Sequence, residues 1–450
     1  MATIRATNLI DGGRTNNTEL LQNYFDSLEE GDELIIPAGV YATGALLLQK
    51  KQVTITLEKG STLQFIADAK LYPPVTTRWE GVNCWAMHPA LMVAHSSDVL
   101  LQGEGVLDGG GSWWWEQAYI KKTQTKPITD LERSFALLNP GFEEQAGGGG
   151  GRQSQFLRPP LLQIYHSRDI RVSGLTLQNS PFWTLHPLYS ERITIEDVTV
   201  TNPKDAPNTD GIDIDSCKDV VVRNCTVDVG DDGIAIKSGS GSDGVITAKP
   251  TIGVVIQGCT VRSAHGGAVI GSETAAGVQH VLVQDCLFDG TDRGIRIKTR
   301  RGRGGAISDL HYKNLRMKDN LCPVALNMYY APGSQDDELF SLEAQPILDT
   351  TPSIHTILIE NCTAVGSTSS AGFIVGLPEE PIRNVRIERS TFGVSKKKIT
   401  PIEESEMYEG LPAVDKRGVR LRNVRLHLED VEVLGVDEPF IVEDGVELEP

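Results

Sequence analysis

A short pattern of apolar residues recurs ten times between residues 99 and 433. In most copies, apolar side chains occupy offsets 0, 2, 5 and 7, and a polar corner such as Ser173-Gly174 or Arg223-Asn224 separates the two pairs. Apolar residues with a period of two indicate β-strands that bury one face. The middle copies follow one another at intervals of 23, 27, 34 and 27 residues, from first residues Ile170, Ile193, Val220, Val254 and Val281. A unit of this size cannot bury a core alone, so the pattern predicts stacked repeats.

A third short strand completes each of the central repeats. It follows a glycine and carries apolar pairs such as Ile212/Ile214 and Ile234/Ile236. No repeat contains a helix long enough to cover a sheet. These features predict an all-β fold, a single-stranded right-handed parallel β-helix of about ten rungs that forms one domain over residues 1–450. A β-propeller is the alternative, but its blades need about 40–50 residues, and most of these repeats are shorter.

Three segments interrupt or precede the repeats. Residues 17–28 carry apolar side chains at helical spacing behind Asn16-Asn17, which predicts a short capping helix over the first rung. Two insertions, at roughly 107–160 and 328–352, are long enough to be functional, and we expect them to line a cleft. The first contains Trp113-Trp114-Trp115, either a platform for a sugar or an aromatic plug beneath a loop, and the glycine run Gly147–Gly151.

The composition limits the class of partner. Among 450 residues the formal net charge is −18, which argues against nucleic acid or an anionic membrane as the main partner. The first ten residues do not show a charged region followed by an apolar one, so we expect a cytoplasmic protein. The alternative is a secreted or periplasmic protein whose leader is absent from this sequence. The oligomeric state is left open.

The cysteines favour a structural role. Their number, seven, excludes a fully paired disulfide framework. Cys225, Cys259, Cys286 and Cys362 all occupy offset 5 of their repeats, so the β-helix prediction stacks them inside as small apolar side chains. They lack the C-x-x-C spacing of zinc sites. The sequence therefore predicts no metal and no cofactor.

One sequence frame around the third strand repeats with different charged residues. The four copies are Asn208-Thr209-Asp210-Gly211-Ile212-Asp213-Ile214, Gly230-Asp231-Asp232-Gly233-Ile234-Ala235-Ile236, Ala264-His265-Gly266-Gly267-Ala268-Val269-Ile270 and Asp292-Arg293-Gly294-Ile295-Arg296-Ile297-Lys298. Strands on neighbouring rungs lie about 4.8 Å apart. The alignment therefore predicts a cluster of three acids, a histidine and two cations: Asp210, Asp231, Asp232, His265, Arg296 and Lys298. Close carboxylates with nearby cations acquire different pKa values, as the splitting of a glycosidic bond requires.

At these residues the chain resembles the polygalacturonases, glycoside hydrolase family 28. The resemblance rests on four motifs in order: Asn208-Thr209-Asp210, Gly230-Asp231-Asp232, Ala264-His265-Gly266 and Arg296-Ile297-Lys298. It covers most of the chain, from Thr43-Gly44 to the repeats after residue 350, and it independently implies a right-handed parallel β-helix. The one departure is Ala264, where the family usually carries Gly or Ser. That change is too small to put His265 in doubt.

The family resemblance implies a role for each charged residue. Asp231 would be the general acid that protonates the leaving oxygen, and Asp210 and Asp232 would activate water for a single displacement with inversion. The carboxylate spacing alone leaves a nucleophile and retention equally open. His265 would tune the acid or position the substrate. Arg296 and Lys298 would bind the carboxylate of a galacturonate residue.

Several further residues are weaker candidates for substrate binding. Asn208 belongs to the first motif, and Arg158, with the nearby Gln155, is a candidate for a terminal subsite. His186 either reaches the groove or is a satisfied structural histidine, and Tyr329 and Tyr330 either stack on a sugar or pack within the fold.

Other polar residues near the frame have simpler explanations. Asp213, Asp215 and Asp219 are expected to be plain turn residues. The run Arg300-Arg301-Gly302-Arg303 would extend the Arg296/Lys298 clamp and recruit a polyanionic sugar rather than nucleic acid.

The expected activity is hydrolysis of α-1,4-galacturonosidic bonds in polygalacturonate, with exo attack because the insertions would close one end of the cleft. Endo attack is the alternative, since insertions can also widen a groove. Rhamnogalacturonan or xylogalacturonan are alternative substrates, but His265 favours galacturonan because the rhamnogalacturonan relatives typically lack that motif. Two other classes stay open, a calcium-dependent pectate lyase and a non-catalytic polysaccharide-binding β-helix.

Overall fold

The computed structural model describes residues 2–121, 129–144, 154–334 and 336–449, so the glycine run Gly147–Gly151 lies outside the described residues. The chain divides into two compact units, Met1–Asp231 and Asp232–Pro450. The prediction of one domain over residues 1–450 stays a prediction. No described helix is both long and apolar enough to cross a membrane.

The described residues of the first unit form parallel strands, one antiparallel hairpin and three helices. Its strands are Thr3–Arg5, Glu33–Ile36, Gly39–Thr43, Leu46–Leu48, Lys51–Leu57, Ser61–Phe65, Pro74–Trp79, Val82–Met87, Leu91–Ala94, Ser97–Gly103, Val106–Asp108, Leu162–Tyr165, Arg168–Ser173, Thr176–Gln178, Leu185–Leu188, Glu191–Glu196, Thr199–Thr201, Ile212–Asp215, Lys218–Arg223 and Thr226–Asp228. Its helices are Thr18–Ser27, Ser112–Lys121 and Asp130–Leu138, with 3₁₀ turns at Ala69–Leu71 and Phe142–Glu144.

The second unit continues the parallel pattern with two short helices. Its strands are Asp232–Lys237, Thr251–Gln257, Thr260–Arg262, Gly266–Gly271, Val278–Gln284, Leu287–Asp289, Arg293–Lys298, Ala306–Lys313, Arg316–Lys318, Cys322–Asn327, Ser353–Glu360, Thr363–Ser367, Gly372–Val375, Ile382–Val394, Val419–Arg422, Val424–Leu434, Phe440–Val442 and Val446–Glu449. Its helices are Gly241–Thr247 and Ile402–Glu406, with a 3₁₀ turn at Asp337–Phe340.

The register within each unit is the one that the sequence repeat predicts. In the first unit Ile170 pairs with Ile193, and Ile193 with Val220. In the second unit Val254 pairs with Val281, and the same column continues through Leu310, Ile357, Val385 and Leu426. These side chains are at most 2% exposed, and each such burial contributes about 1.5–3 kcal/mol of transfer free energy. The fold is a right-handed parallel β-helix, which confirms the predicted fold class.

The polar corners have a backbone reason for their sequence. Gly174, Asp197, Asn224, Asp285 and Asn314 all have positive φ values, between 53° and 76°. A left-handed backbone is costly for most residues and is tolerated best by Gly, Asn and Asp. The corner residues therefore set where the first strand of a repeat ends and the second begins.

The helix Thr18–Ser27 covers the strand Leu46–Leu48, which lies at the end of its sheet. Leu21 and Phe25 are its buried residues. The amide of Gln22 donates to the carbonyl of Leu47 at 2.8 Å and accepts from its N–H at 3.0 Å. A side chain thus replaces the missing neighbouring strand, which protects the sheet edge.

The first insertion is partly helical rather than a simple loop, because Ser112–Lys121 and Asp130–Leu138 lie within it. Trp114 is fully buried and packs edge-to-face on Tyr72, with ring centroids 5.3 Å apart. The indole N–H of Trp115 donates to the Ser180 carbonyl at 2.8 Å. Of the two interpretations of the tryptophan triplet, an aromatic plug fits Trp114.

The four cysteines at offset 5 are reduced thiols with at most 1% exposure. Burial raises the pKa of Cys362 to about 12. Zinc binds the thiolate, so a thiol that stays protonated is a poor ligand. The cysteines therefore serve as small core side chains.

Candidate active site

In the first unit, Asp210 lies just before the strand Ile212–Asp215. Asp231 is the last residue of this unit. One carboxylate oxygen of Asp210 lies within 4.8 Å of one of Asp231. Asp210 is buried and Asp231 is half-buried. Two carboxylates in such different surroundings are suited to different protonation states.

Arg158 fixes the backbone around Asp210. Its guanidinium donates to the carbonyls of Pro181 and Pro207 at 2.7 and 2.9 Å, and to the Asn208 side-chain oxygen at 2.8 Å. Only 2% of Arg158 is exposed. Burial lowers its pKa to about 10, while the charges of nearby acids, among them Asp210 and Asp231, oppose the shift. Arg158 is therefore a positioning residue rather than part of a terminal subsite, and Asn208 is its partner.

Gly230 is required by a close backbone approach. A Cβ at this position would lie 1.9 Å from the carbonyl oxygen of Lys204. The segment that carries Asn208 and Asp210 therefore packs directly against the residue before Asp231, and only glycine leaves the space.

His186 has the structural role rather than the substrate-binding one. Its side chain is 1% exposed, and its Nε2 lies 3.7 Å from Asp215 Oδ2. Its Nδ1 lies 3.0 Å from the amide nitrogen of Gln163, and the Trp183 ring packs edge-to-face against it. The ring is thus enclosed by protein groups within the first unit.

The expectation that Asp213 and Asp215 are plain turn residues is wrong. Both are fully buried in the strand Ile212–Asp215. Arg78 Nη1 donates to Asp215 Oδ1 and to Ser216 Oγ, both at 2.7 Å. Burial opposes ionisation of Asp215, but the charges of Arg78 and His186 lower its pKa to about 2. A hairpin distant in sequence supplies this counterion, so the local pattern could not show it.

Replacing Arg78 by leucine is expected to lower the free energy of unfolding by about 3–5 kcal/mol, because it leaves Asp215 buried without its cationic partner. The pKa of Asp215 rises in the variant, so the destabilisation should be largest near neutral pH and shrink as pH falls below about 4. Chemical unfolding at several pH values measures it. Arg192→Leu, which removes an exposed ion pair with Asp169, is the control and should change stability little. Equal losses in the two variants would contradict this account.

In the second unit, Asp232 is held by both predicted cations. Arg296 Nη1 donates to Asp232 Oδ1 at 2.9 Å, and Lys298 Nζ donates to Oδ2 at 2.6 Å. Burial opposes ionisation, but the charges of Lys298, Arg296 and Lys237 outweigh it and hold the pKa of Asp232 well below its usual range. Asp232 therefore stays ionised below the pH at which an ordinary aspartate takes up a proton, as a general base requires.

Gly266 allows the two cations to reach Asp232 across an intervening strand. Asp232 is in register with Gly266, and Arg296 with Val269, so the strand Gly266–Gly271 lies between them. A Cβ on Gly266 would lie 3.2 Å from Cδ of Arg296. A larger residue would force the arginine aside, so the glycine keeps the path to Asp232 open.

Lys237 and Glu273 join this cluster, and the sequence analysis missed both. Lys237 Nζ donates to Glu273 Oε2 at 3.0 Å, and both side chains are buried. Burial opposes ionisation of Glu273, but the charges of Lys237, Arg303 and Lys298 keep its pKa below its usual value. Lys237 ends the strand that begins with Asp232, and its apolar neighbours Ile234 and Ile236 are the only local sequence signal for a buried position.

His265 lies beside Asp292, which precedes Gly294 by two residues just as His265 precedes Gly267. Its Nε2 is 3.9 Å from Asp292 Oδ2, and 44% of the side chain is exposed. An accessible imidazole beside a carboxylate can exchange protons or contact a ligand. Its predicted role in tuning the acid or positioning substrate stays a prediction.

The two tyrosines differ. Tyr330 faces the clamp, since its ring centroid lies 5.7 Å from the Arg296 guanidinium carbon and 5.6 Å from Lys298 Nζ. Tyr329 is fully buried and donates through its hydroxyl to Ser341. Tyr330 therefore remains a candidate for contacting the substrate. The burial of Tyr329 fits a packing role.

Two arginines of the run after Lys298, Arg300 and Arg301, do not extend the clamp. Arg300 donates to the carbonyls of Tyr330, Pro332 and Gly333. Arg301 forms a bidentate pair with Glu379, at 2.6 and 2.8 Å. Both side chains are buried, and they tie down the second insertion instead of recruiting substrate.

The carboxylates of both units already have cationic neighbours. Arg158 lies near Asp210 and Asp231, and Arg296 and Lys298 bind Asp232. Calcium needs six to eight oxygen ligands and competes poorly with bound cations for the same carboxylates. The state of Asp232 therefore suits proton transfer better than metal binding.

A comparison with protein families agrees with this chemistry. The family model described as glycosyl hydrolases family 28 matches residues 145–342, a range that includes every predicted site residue. The chain is similar to glycosyl hydrolases family 28 across this range. It is therefore a glycoside hydrolase.

Similar proteins of this family are known from plants and bacteria. A "Probable polygalacturonase" of Vitis vinifera is 29% identical over 400 residues, which cover 86% of this chain and 73% of the relative. An "Exo-poly-alpha-D-galacturonosidase" of Dickeya chrysanthemi is 26% identical over 333 residues, 68% of this chain and only 53% of the relative. The crystal structure of a hyperthermoactive exopolygalacturonase from Thermotoga maritima is 26% identical, with a TM-score of 0.79 over 97% of this chain and 93% of that one.

Proposed function

We propose that this hydrolase cleaves α-1,4-galacturonosidic bonds of polygalacturonate and its oligomers by an inverting single displacement. Asp231 is the general acid, and Asp210 and Asp232 activate the attacking water. The observation that carries the proposal is the state of Asp232, a buried carboxylate kept ionised by Arg296 and Lys298. The next residue towards the N-terminus, Asp231, is only half-buried, so its carboxylate is more accessible than that of Asp232. In this proposal the two neighbouring residues have different roles, with Asp232 as a base and Asp231 as the acid.

The charge of the second unit supports an anionic sugar as substrate. The group around the clamp contains four cations and two carboxylates, so its positive charges exceed its negative charges by two. Its members are Lys237, Arg296, Lys298, Arg303, Asp232 and Glu273. A uronate carboxylate would balance part of the excess, and the guanidinium and ammonium groups are suited to donate charge-assisted hydrogen bonds to it. The chain as a whole is strongly acidic, so this concentration of positive charge is local.

The covering of the first unit supports exo attack. The hairpin Pro74–Trp79 and Val82–Met87 lies over the outward side chains of its third strands. Thr77 donates to Gln163 at 3.0 Å, and Arg78 binds Asp215. The first insertion holds the hairpin in turn, because Asn139 exchanges two hydrogen bonds with the backbone of Trp85. A polysaccharide chain cannot lie along this covered face, so the substrate is expected to enter by its end.

The names of the relatives agree with a galacturonan substrate and leave the mode of attack to experiment. One is an exo-poly-alpha-D-galacturonosidase and another, 27% identical over 332 residues, an endo-polygalacturonase of Pectobacterium carotovorum subsp. carotovorum.

Digestion of polygalacturonate, with products separated by length early in the reaction, tests the exo proposal. We expect one short product, a monomer or dimer, to accumulate from the first minutes while the long chains shorten gradually. Reduced polygalacturonan, in which the carboxylates are converted to alcohols, is the control and should be a poor substrate. A ladder of intermediate oligomers at low conversion would show endo attack instead.

A further inference from the structure

A segment late in the chain crosses the strands that carry the cation clamp. It runs from Ile402 to Glu409, and three backbone contacts fix it. Asn327 Nδ2 donates to the Glu406 carbonyl at 2.7 Å, the Ala331 N–H donates to the Met407 carbonyl at 3.0 Å, and the Glu409 N–H donates to the Tyr329 carbonyl at 3.1 Å. Its side chains are therefore held at fixed positions over the clamp.

Met407 of this segment touches Arg296. Its thioether sulfur accepts from Arg296 Nη2 at 3.2 Å, and the side chain is half-buried. The other terminal nitrogen, Nη1, binds Asp232, and the Arg296 guanidinium lies over Tyr330. Each of these contacts helps to hold the guanidinium fork of Arg296 in one orientation.

The three contacts of the fork differ in strength. A carboxylate forms a strong, charge-assisted hydrogen bond with a guanidinium, and an aromatic face attracts its charge. A thioether is only a weak acceptor. The contact with Met407 is therefore the one that an incoming oxygen acceptor replaces at least cost, while Asp232 and Tyr330 keep the arginine in place.

We propose that Met407 is a specificity-determining residue, a weak acceptor that orients Arg296 Nη2 in the free enzyme and yields it to the carboxylate of the substrate. The inference rests on the proposed function, because it needs a uronate as substrate. Met407 acts on ground-state binding, since Arg296 Nη1 and Asp232 stay paired whether or not the sulfur is displaced.

Two variants separate the acceptor from the volume of the side chain. Met407→Gln places an amide oxygen near Arg296, and because oxygen accepts more strongly than sulfur, KM for trigalacturonate should rise about tenfold with kcat unchanged. Met407→Leu keeps the volume but removes the acceptor that orients Arg296 Nη2, so KM should rise only slightly, by about two- to threefold. Equal increases of KM in both variants, or no increase in Met407→Gln, would overturn the proposal.

Oxidation of the wild-type protein provides a test that does not depend on the folding of a variant. Met87, Met92, Met317 and Met328 are buried, so Met407 is the accessible methionine among the described residues. Hydrogen peroxide transfers one oxygen atom to the sulfur and leaves as water, which creates a strong sulfoxide acceptor. KM should rise in oxidised wild type and stay unchanged in oxidised Met407→Leu. The same rise in both proteins would refute the role of Met407.

The outcome for the wild type separates the two proposals. A wild type that cleaves trigalacturonate while Met407→Gln has a normal KM refutes this inference alone. A wild type that cleaves no galacturonate oligomer refutes the proposed function and this inference with it.

Discussion

Replacing Asp231 by asparagine is expected to lower kcat on galacturonate oligomers by about 10²–10⁴-fold, the usual contribution of a general acid. Asparagine has the same shape but carries no proton that can be transferred to the leaving oxygen. The neighbouring backbone should be undisturbed, since Arg158 and the contact between Lys204 and Gly230 hold it without the Asp231 carboxylate. Initial rates with tetragalacturonate measure the loss, and calorimetric titration of the variant should show that it still binds the oligomer.

Asp219→Asn is the matched control for this loss. Asp219 is exposed at the start of the strand Lys218–Arg223 in the same unit, and its replacement should leave kcat unchanged. If Asp231→Asn were as active as Asp219→Asn, Asp231 would not be the acid. A variant that binds no oligomer would mean that Asp231 serves binding instead.

Replacing Lys298 by methionine is expected to lower kcat/KM by about 10²–10³-fold, because removing one partner from a buried ion pair costs about 3–5 kcal/mol. Lys298 Nζ donates to Asp232 at 2.6 Å. Of the two cations that donate to Asp232, the variant keeps only Arg296. It also removes a positive charge that a uronate would use.

The pH dependence of Lys298→Met gives the role of the lysine a second readout. The charge of Lys298 helps to keep the pKa of Asp232 below its usual range, so the pKa rises when that charge is removed. A base works only when ionised, so activity should begin to fall at a higher pH than in the wild type as the solution is acidified. The profile of kcat/KM against pH measures the shift.

Lys318→Met provides the control, because Lys318 is exposed in the same unit and forms only long ion pairs with Asp289 and Asp319. It should have the wild-type profile. A loss of activity in Lys298→Met that is the same at every pH would assign Lys298 to substrate binding alone.

The repeat in the sequence was sufficient to predict the fold and the register of the site. Because a β-helix buries one residue in two, the columns that begin with Ile170 and Val254 could be aligned from apolar spacing alone. The same alignment placed Asp232 beside Gly266, which is the register observed. The pairing of Arg296 and Lys298 with Asp232 follows from that register and from the length of the two side chains.

Contacts between segments far apart in sequence could not be predicted in this way. Arg78 binds Asp215 across 137 residues, and Arg296 contacts Met407 across 111. Arg78 and Met407 both lie outside the repeat. Arg78 belongs to a hairpin, and Met407 follows a short helix. The prediction that Arg158 serves a terminal subsite has a related reason. Its position in an insertion gave no sign that its guanidinium would be buried against Asn208.

The anomeric form of the first product shows most directly whether the chain hydrolyses α-linked galacturonate with inversion. Proton NMR of trigalacturonate during the first turnovers should show saturated products whose new reducing end is in the β configuration, later converted to the α form by mutarotation. An unsaturated product would mean a lyase, and an α-configured first product would mean retention. Either result would contradict the roles given to Asp210, Asp231 and Asp232.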